Sequence, residues 1–210
     1  MTDQLLGLRE RKKADTRRAL SDAALNLAFE HGLDNVTRDD IAAVAGVSLR
    51  TFNNYFSGKY EALAYRQAER VRRSVALLRQ RPADEPLWTA IAHAVLEPIE
   101  ADFADVHGDE NRVPSRHELA EIRKLLMHPQ VRNAVPQQLF DEFVEVIAER
   151  TGTDPHRDMY PRLLVAVVRA VGDAAAEAYV RAEPPVAITT LIRSGLAAVS
   201  AGLPEPAIRK

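Results

Sequence analysis

The 210-residue sequence predicts an all-α fold of about nine helices, in which a small N-terminal three-helix module precedes a larger C-terminal helical bundle. Apolar residues recur at three- and four-residue spacing in nearly every segment, and no segment reads as a strand. Between the segments stand glycines, prolines and cap-forming serines and threonines, the residues that stop and start helices.

From Asp15 to His31, Leu20, Ala24, Leu27 and Ala28 form one apolar face, and Gly32 stands where a helix C-terminus favours glycine. Thr37 opens Thr-Arg-Asp-Asp, a capping-box-like start with Asp40 near the third position, and Ile41, Ala42 and Ala45 continue the apolar face until Gly46. Ser48 caps a third short helix through about Asn54, and Ser57 caps a fourth, long and charged, from Gly58 to about Gln80. Arg81 to Pro86, with two prolines and two acids, is the clearest boundary in the chain. Beyond it a helix from Leu87 to about Asp105 carries Trp88, Ile91, Val95 and Ile99, and a polar loop follows to Pro114. A helix spans Ser115 to Met127, His128-Pro129 breaks the chain, and the next helix reaches about Arg150 with Leu139, Phe143, Val144 and Ile147. Thr151 to Pro155 ends it, and two helices remain, roughly Arg157 to Arg181 and Val186 to Ala201. Pro98, Pro136 and Pro161 lie inside or at the first turns of these helices, which predicts kinks or displaced starts.

Composition narrows the function classes. With 46% hydrophobic and 28% charged residues, this is the balance of a soluble globular protein. The absence of Cys rules out a disulfide framework and any thiolate zinc site, and no apolar run is long enough for a signal peptide or a membrane span. These features predict a cytoplasmic protein with no membrane partner. The net charge of −2 does not announce a polyanion, but the first twenty residues hold six basic groups (Arg9, Arg11, Lys12, Lys13, Arg17, Arg18) against three acidic ones. Catalytic patterns are missing: His117-Glu118-x-x-Glu121 lacks the second histidine of a zinc protease helix, and His93 and Glu97 are a plain i, i+4 pair. No Ser, His and Asp arrangement or glycine-rich phosphate loop is recognisable, so the sequence predicts neither an enzyme nor a cofactor nor a metal.

The second and third helices are joined through Val44 to Val47, a connection of about four residues containing a glycine, as in a helix-turn-helix. Ile41, Ala45, Val47, Phe52 and Tyr55 fall where two steeply crossed short helices need apolar contacts, and Gly46 permits a left-handed turn. In such a unit the second helix enters the DNA major groove with its N-terminal residues at base edges, here Leu49, Arg50, Asn53 and Asn54. Arginine pairs with guanine, asparagine with adenine, and leucine offers apolar contact to a thymine methyl. Thr37, Arg38, Thr51, Tyr55 and Lys59 sit at helix ends or beside that surface, where hydroxyls and cations hold phosphates. The basic tail before the first helix could lie along the backbone or in the neighbouring minor groove.

The pattern T-x-x-x-I-A-x-x-A-G-V-S-x-x-T-F-x-x-Y-F-x-x-K-x-x-L, from Thr37 to Leu63, resembles the DNA-binding segment of TetR-type transcriptional regulators. That resemblance spans about residues 10 to 65. It implies a double-stranded DNA operator as partner, a homodimer, and a C-terminal domain whose small-molecule effector weakens DNA binding, hence a repressor of a palindromic operator. The family commonly has a phosphate-contacting tyrosine where this chain has Asn53, which leaves open whether Asn53 reads a base or holds phosphate. Ile122 to Arg132, with Arg150 to Pro155, is similar to mycofactocin-type regulators, some of which respond to long acyl-CoA esters. The domains expected are 1–57, DNA-binding with a basic N-terminal tail; 58–80, a connecting helix; and 81–210, for effector binding and dimerisation.

The last two helices are the expected dimer interface. Ala166, Ala170, Gly172, Ala174 and Ala178 on one, with Gly195, Ala198 and Ala201 on the other, allow close helix approach, although both helices could instead fill a monomer core. Trp88, Ile91, Val95, Ile99, Phe103, Met127, Phe140 and Phe143 are the candidate lining of an apolar effector pocket, or else plain core. Arg116, Arg123, Lys124 and His128 offer cations to an anionic effector group, or a solvated face. A second reading of the same architecture is a DNA-bound adaptor that contacts a protein partner and has no small-molecule pocket.

Overall fold

A computed structural model describes residues 2–106, 116–182 and 186–205, with side chains at 7–102, 120–122, 124–182 and 186–205. Among the described residues there are ten α-helices and one 3-10 turn, and no strand. The helices are α1 (Thr2–His31), α2 (Arg38–Val44), α3 (Leu49–Tyr55), α4 (Lys59–Gln80), α5 (Leu87–Val106), α6 (Arg116–Met127), α7 (Pro129–Asn133), α8 (Gln137–Thr151), α9 (Met159–Tyr179) and α10 (Ile188–Ser200). The 3-10 turn, Leu33–Asn35, lies between α1 and α2.

Two expectations change. The helix expected from Asp15 begins at Thr2, so the basic residues ahead of it are helical rather than a tail. The stretch after His128 is two helices and not one, because Pro136 has no N–H to donate and its ring crowds the preceding turn. Pro98 lies inside α5, which runs on past it, and Pro161 sits in the first turn of α9.

The chain divides into two compact units, with the boundary inside α4: residues 2–69 with 116–136, and residues 70–106 with 137–182 and 186–205. In the first unit Leu20, Ala24 and Leu27 of α1, Ile41 of α2, Phe52 of α3 and Leu63 of α4 share one apolar core with Leu125 of α6 and Val131 of α7. Gly32 adopts φ 82 and lets the chain leave α1 for the 3-10 turn, which a residue with a Cβ does only under strain. Arg66 Nε donates to Asp22 Oδ1 at 2.9 Å and ties α4 to α1.

In the second unit α10 packs on both α5 and α9, and α8 packs on α9. Gly195 of α10 lies against Val171 of α9 so closely that a Cβ there would stand 2.7 Å from a valine methyl carbon. Its small size is therefore used within the chain, which removes Gly195 from the small-residue surface expected to face a partner. Asp102 of α5, 7% exposed, accepts from Arg70 Nε at 2.8 Å and from Arg73, both on α4. Burial works to raise the Asp102 carboxyl, but the two guanidinium hydrogen bonds outweigh it and hold it below the usual carboxylate range. Arg150, near the end of α8, donates to the carbonyls of Arg81, Pro82 and Glu85 at 3.0, 2.8 and 3.4 Å and closes the connection between α4 and α5. Among the described residues no helix is long and apolar enough to cross a membrane.

Candidate nucleic-acid interface

The helix-turn-helix is built by local rules. Thr37 caps α2: Asp40 N–H donates to the threonine hydroxyl oxygen at 3.2 Å, and Thr37 N–H donates to the Asp40 carboxylate at 3.2 Å. This is the reciprocal box that satisfies two donors at a helix start. At the other end Val47 N–H donates to Ala42 C=O at 2.9 Å, and Gly46 adopts φ 68 between them, so the chain reverses within three residues. Ser48 then accepts from Thr51 N–H at 3.0 Å and starts α3.

Phe52 anchors α3. It is fully buried, it lies 5.9 Å from the Phe56 ring, and its burial fixes which side of a seven-residue helix faces out. Arg50, Asn53 and Asn54 are exposed on that outer side, with Leu49, Thr51 and Tyr55 half-buried beside them. All six expected residues of α3 thus meet one surface or its edge. Arg38 Nη1 lies 3.5 Å from Asn53 Oδ1 and links α2 to α3 across that surface. Because arginine only donates, the Asn53 carbonyl is turned toward Arg38 and its amide N–H groups are left to point elsewhere.

Lys59 is half-buried, and its Nζ donates to the carbonyls of Leu33 and Asp34 at 3.1 and 3.3 Å. Two of its three protons hold the 3-10 turn, and that turn leads directly into Thr37. One proton remains for a phosphate. Ser57, expected as a cap through its own oxygen, instead donates its hydroxyl and its N–H to the Glu61 carboxylate, at 2.8 and 2.7 Å. Thr37, Arg38, Asp39, Ser57, Gly58, Lys59 and Tyr60 line an open groove of about 400 Å³ between the starts of α2 and α4. Sequence reasoning missed Arg17 as a partner of this surface: its guanidinium stands 5.8 Å from the Tyr55 ring centroid, bringing α1 to the end of α3. The only sequence signal was its place in a basic run.

The residues expected to line a pocket differ in burial. Ile91 and Phe143 are buried, Trp88, Val95, Ile99 and Phe140 are half-buried, and the Phe103 side chain lies outside the described residues. Phe140 carries the Arg169 guanidinium 4.0 Å from its ring centroid. Met127 belongs to the first unit with the rest of α6. Of the expected cations, Arg116 and Arg123 also have side chains outside the described residues. Lys124 pairs with Glu121 at 2.6 Å, and His128 stacks on Tyr60 at 5.0 Å. Among the described residues no group of His, Asp and Glu could hold a metal ion.

Residues 20–64 match the family model for bacterial regulatory proteins of the tetR family, and residues 85–204 match that for the MftR C-terminal domain. The HTH-type transcriptional regulator TcmR of Streptomyces glaucescens is 31% identical over 182 residues, 84% of this chain and 79% of TcmR. Two solved structures share the fold. FadR of Thermus thermophilus, a TetR-family repressor in complex with lauroyl-CoA, aligns with a TM-score of 0.55 at 18% identity, over 92% of this chain and 98% of that one. The fatty acid degradation regulator FadR of Bacillus halodurans aligns with a TM-score of 0.57 at 19% identity, over 90% and 96%.

Proposed function

This chain belongs to the tetR family of bacterial regulatory proteins, as a DNA-binding transcriptional regulator with an MftR-type C-terminal domain; from that premise we propose that it is a homodimeric repressor which leaves a palindromic operator when a small lipophilic effector binds. The observation that carries the DNA reading is the set Arg50, Asn53 and Asn54, exposed on a helix whose Phe52 is fully buried and whose first turn is capped by Ser48. Such a helix is rigid where it must meet base edges.

In this reading Arg50 and Asn54 read bases and Leu49 meets a thymine methyl. Asn53 turns one lone pair of its carbonyl to Arg38 and keeps the other with two amide N–H groups, which suit either an adenine edge or a phosphate oxygen. Thr37, Arg38, Thr51, Tyr55 and the remaining proton of Lys59 hold the backbone around it. A dimer fits the apolar stripe that α9 leaves uncovered: Met159 is 74% exposed and Leu163 49%, and Ala166, Ala170 and Ala174 continue it. A palindromic operator requires two α3 helices at grooves roughly 34 Å apart, which takes two copies of the chain.

The effector class is an acyl-CoA ester or a compound of similar lipophilicity. The MftR-type domain and the lauroyl-CoA bound to a protein of the same fold support it. The test is selection of an operator from random DNA by the full-length chain, followed by titration of the complex with lauroyl-CoA. Release of the operator at micromolar ligand is the expected result. Unchanged binding with acyl-CoAs of every chain length would overturn the effector class and favour the adaptor reading.

A further inference from the structure

The basic run ahead of Leu20 lies outside the segment that the family model matches, which starts at residue 20, and nothing in the helix-turn-helix accounts for it. Its helical form changes what it can do. α1 has no proline and continues unbroken from Thr2 to His31. Positions 9, 13, 17, 20, 24 and 27 recur at three- and four-residue spacing, so Arg9, Lys13 and Arg17 extend the same face on which Leu20, Ala24 and Leu27 are buried against the rest of the unit. Lys12 flanks that line one turn below Thr16, whose hydroxyl donates to its carbonyl at 2.8 Å. Arg11, Asp15 and Arg18 fall on the opposite face.

One helix face therefore changes from apolar to basic at the point where the packed unit ends. Arg17 marks the junction, since it is half-buried and stands over Tyr55, the last residue of α3. From Arg17 the stripe runs back roughly 12 Å to Arg9 at the helical rise of about 1.5 Å per residue. Arg9, Lys12 and Lys13 are exposed, and among the described residues none of them forms an ion pair. Three solvated cations in a row, continuous with a DNA-reading surface, are complementary to a phosphate backbone.

We propose that the first turns of α1 form a rigid basic arm that lies along the DNA backbone outside the half-site read by α3, through Arg9, Lys12 and Lys13. A helix about 10 Å wide exceeds the roughly 6 Å minor groove, so the arm rides on phosphates and adds no sequence preference. The proposal rests on the DNA-binding reading and extends its footprint outward.

The test uses the full-length chain on its selected operator, with affinity measured between roughly 50 and 200 mM salt. Replacing Arg9, Lys12 and Lys13 together by alanine is expected to lower the salt slope by about 2 to 3, so that the variant loses about 40-fold less affinity than the parent over that range. Hydroxyl-radical protection should shorten at the outer edges of the site, with base preference unchanged. Arg11→Ala with Arg18→Ala, on the opposite face, should leave the slope intact. Ala14→Pro should reproduce the triple variant, because proline ends the helix there while the core from Leu20 onward is kept, as a thermal melt would show. A parent-like slope in the triple variant would overturn the arm, and a parent-like slope in Ala14→Pro would overturn its rigidity in favour of a flexible tail. If the parent itself selects no DNA, the underlying reading fails, and that outcome is separate from either result.

Discussion

Lys59 illustrates how one side chain serves two purposes. The sequence pattern put it beside DNA as an expectation, and pattern alone could not reveal the carbonyls of Leu33 and Asp34, which lie twenty-six and twenty-five positions away. Those bonds fix the turn that precedes Thr37, and hydrogen bonds from charged groups are worth about 1.5 to 3 kcal/mol. Lys59→Ala is therefore expected to lower the unfolding free energy by roughly that amount in the absence of DNA, measured by urea denaturation. An unchanged midpoint would mean that Lys59 is free for phosphate alone. Asn53 and Arg38 are coupled in the same local way, through the 3.5 Å contact between α2 and α3. A double-mutant cycle of Arg38→Ala and Asn53→Ala on the operator should show a coupling of about 0.5 kcal/mol or more. Strict additivity would separate the two residues. The exposed set on α3 was legible in the sequence because its buried anchor is a Phe next to two asparagines; the Arg38 contact was not, since fifteen residues separate the partners.

At the scale of elements, apolar periodicity identified the core-facing helices well and the others poorly. α1 was expected from Asp15 because its apolar face ends near Leu20, whereas helix formation continues through exposed charged residues such as Arg9, Arg11, Lys12 and Lys13. α7 and α8 were merged because proline tolerance depends on context: Pro98 is accommodated inside α5, yet a break falls at Pro136. Packing between helices was invisible to a pattern of this kind. Gly195→Val would force a branched side chain onto Val171 and should destabilise the second unit by about 1 to 3 kcal/mol, read from its thermal melt. Asp102→Asn removes a carboxylate held by two guanidiniums, and a loss of about 2 to 3 kcal/mol is expected near neutral pH, reduced from a fully buried pair because both arginines keep some surface in water. Since the folded carboxyl titrates below its unfolded value near 3.9, its contribution is complete above that value and disappears as pH falls through the folded one. The stability of the wild-type chain should therefore fall more steeply with acid than that of Asp102→Asn. Parallel acid limbs would show that the carboxylate contributes nothing.

For the whole molecule, the proposed homodimer rests on the exposed stripe of α9. Leu163→Glu puts a charge in the middle of that stripe, and sedimentation should find it monomeric at micromolar concentration, with operator affinity reduced at least tenfold. A dimer in that variant would move the interface elsewhere. The family, the all-α class and the capped helix-turn-helix were all legible in the sequence, because a capped turn and a short helix are local. A pocket lining was not, because pocket lining and ordinary core share the same apolar spacing.

The claim that α3 reads bases while its surroundings hold the backbone is tested most directly by the affinities of wild type, Arg50→Ala, Asn54→Ala and Lys59→Ala for the selected operator and its single-base variants. Arg50→Ala and Asn54→Ala should each lose about 1 to 3 kcal/mol of discrimination at particular base pairs, while Lys59→Ala weakens every sequence equally. The contrary result would be base preference that survives in Arg50→Ala and Asn54→Ala but changes in Lys59→Ala.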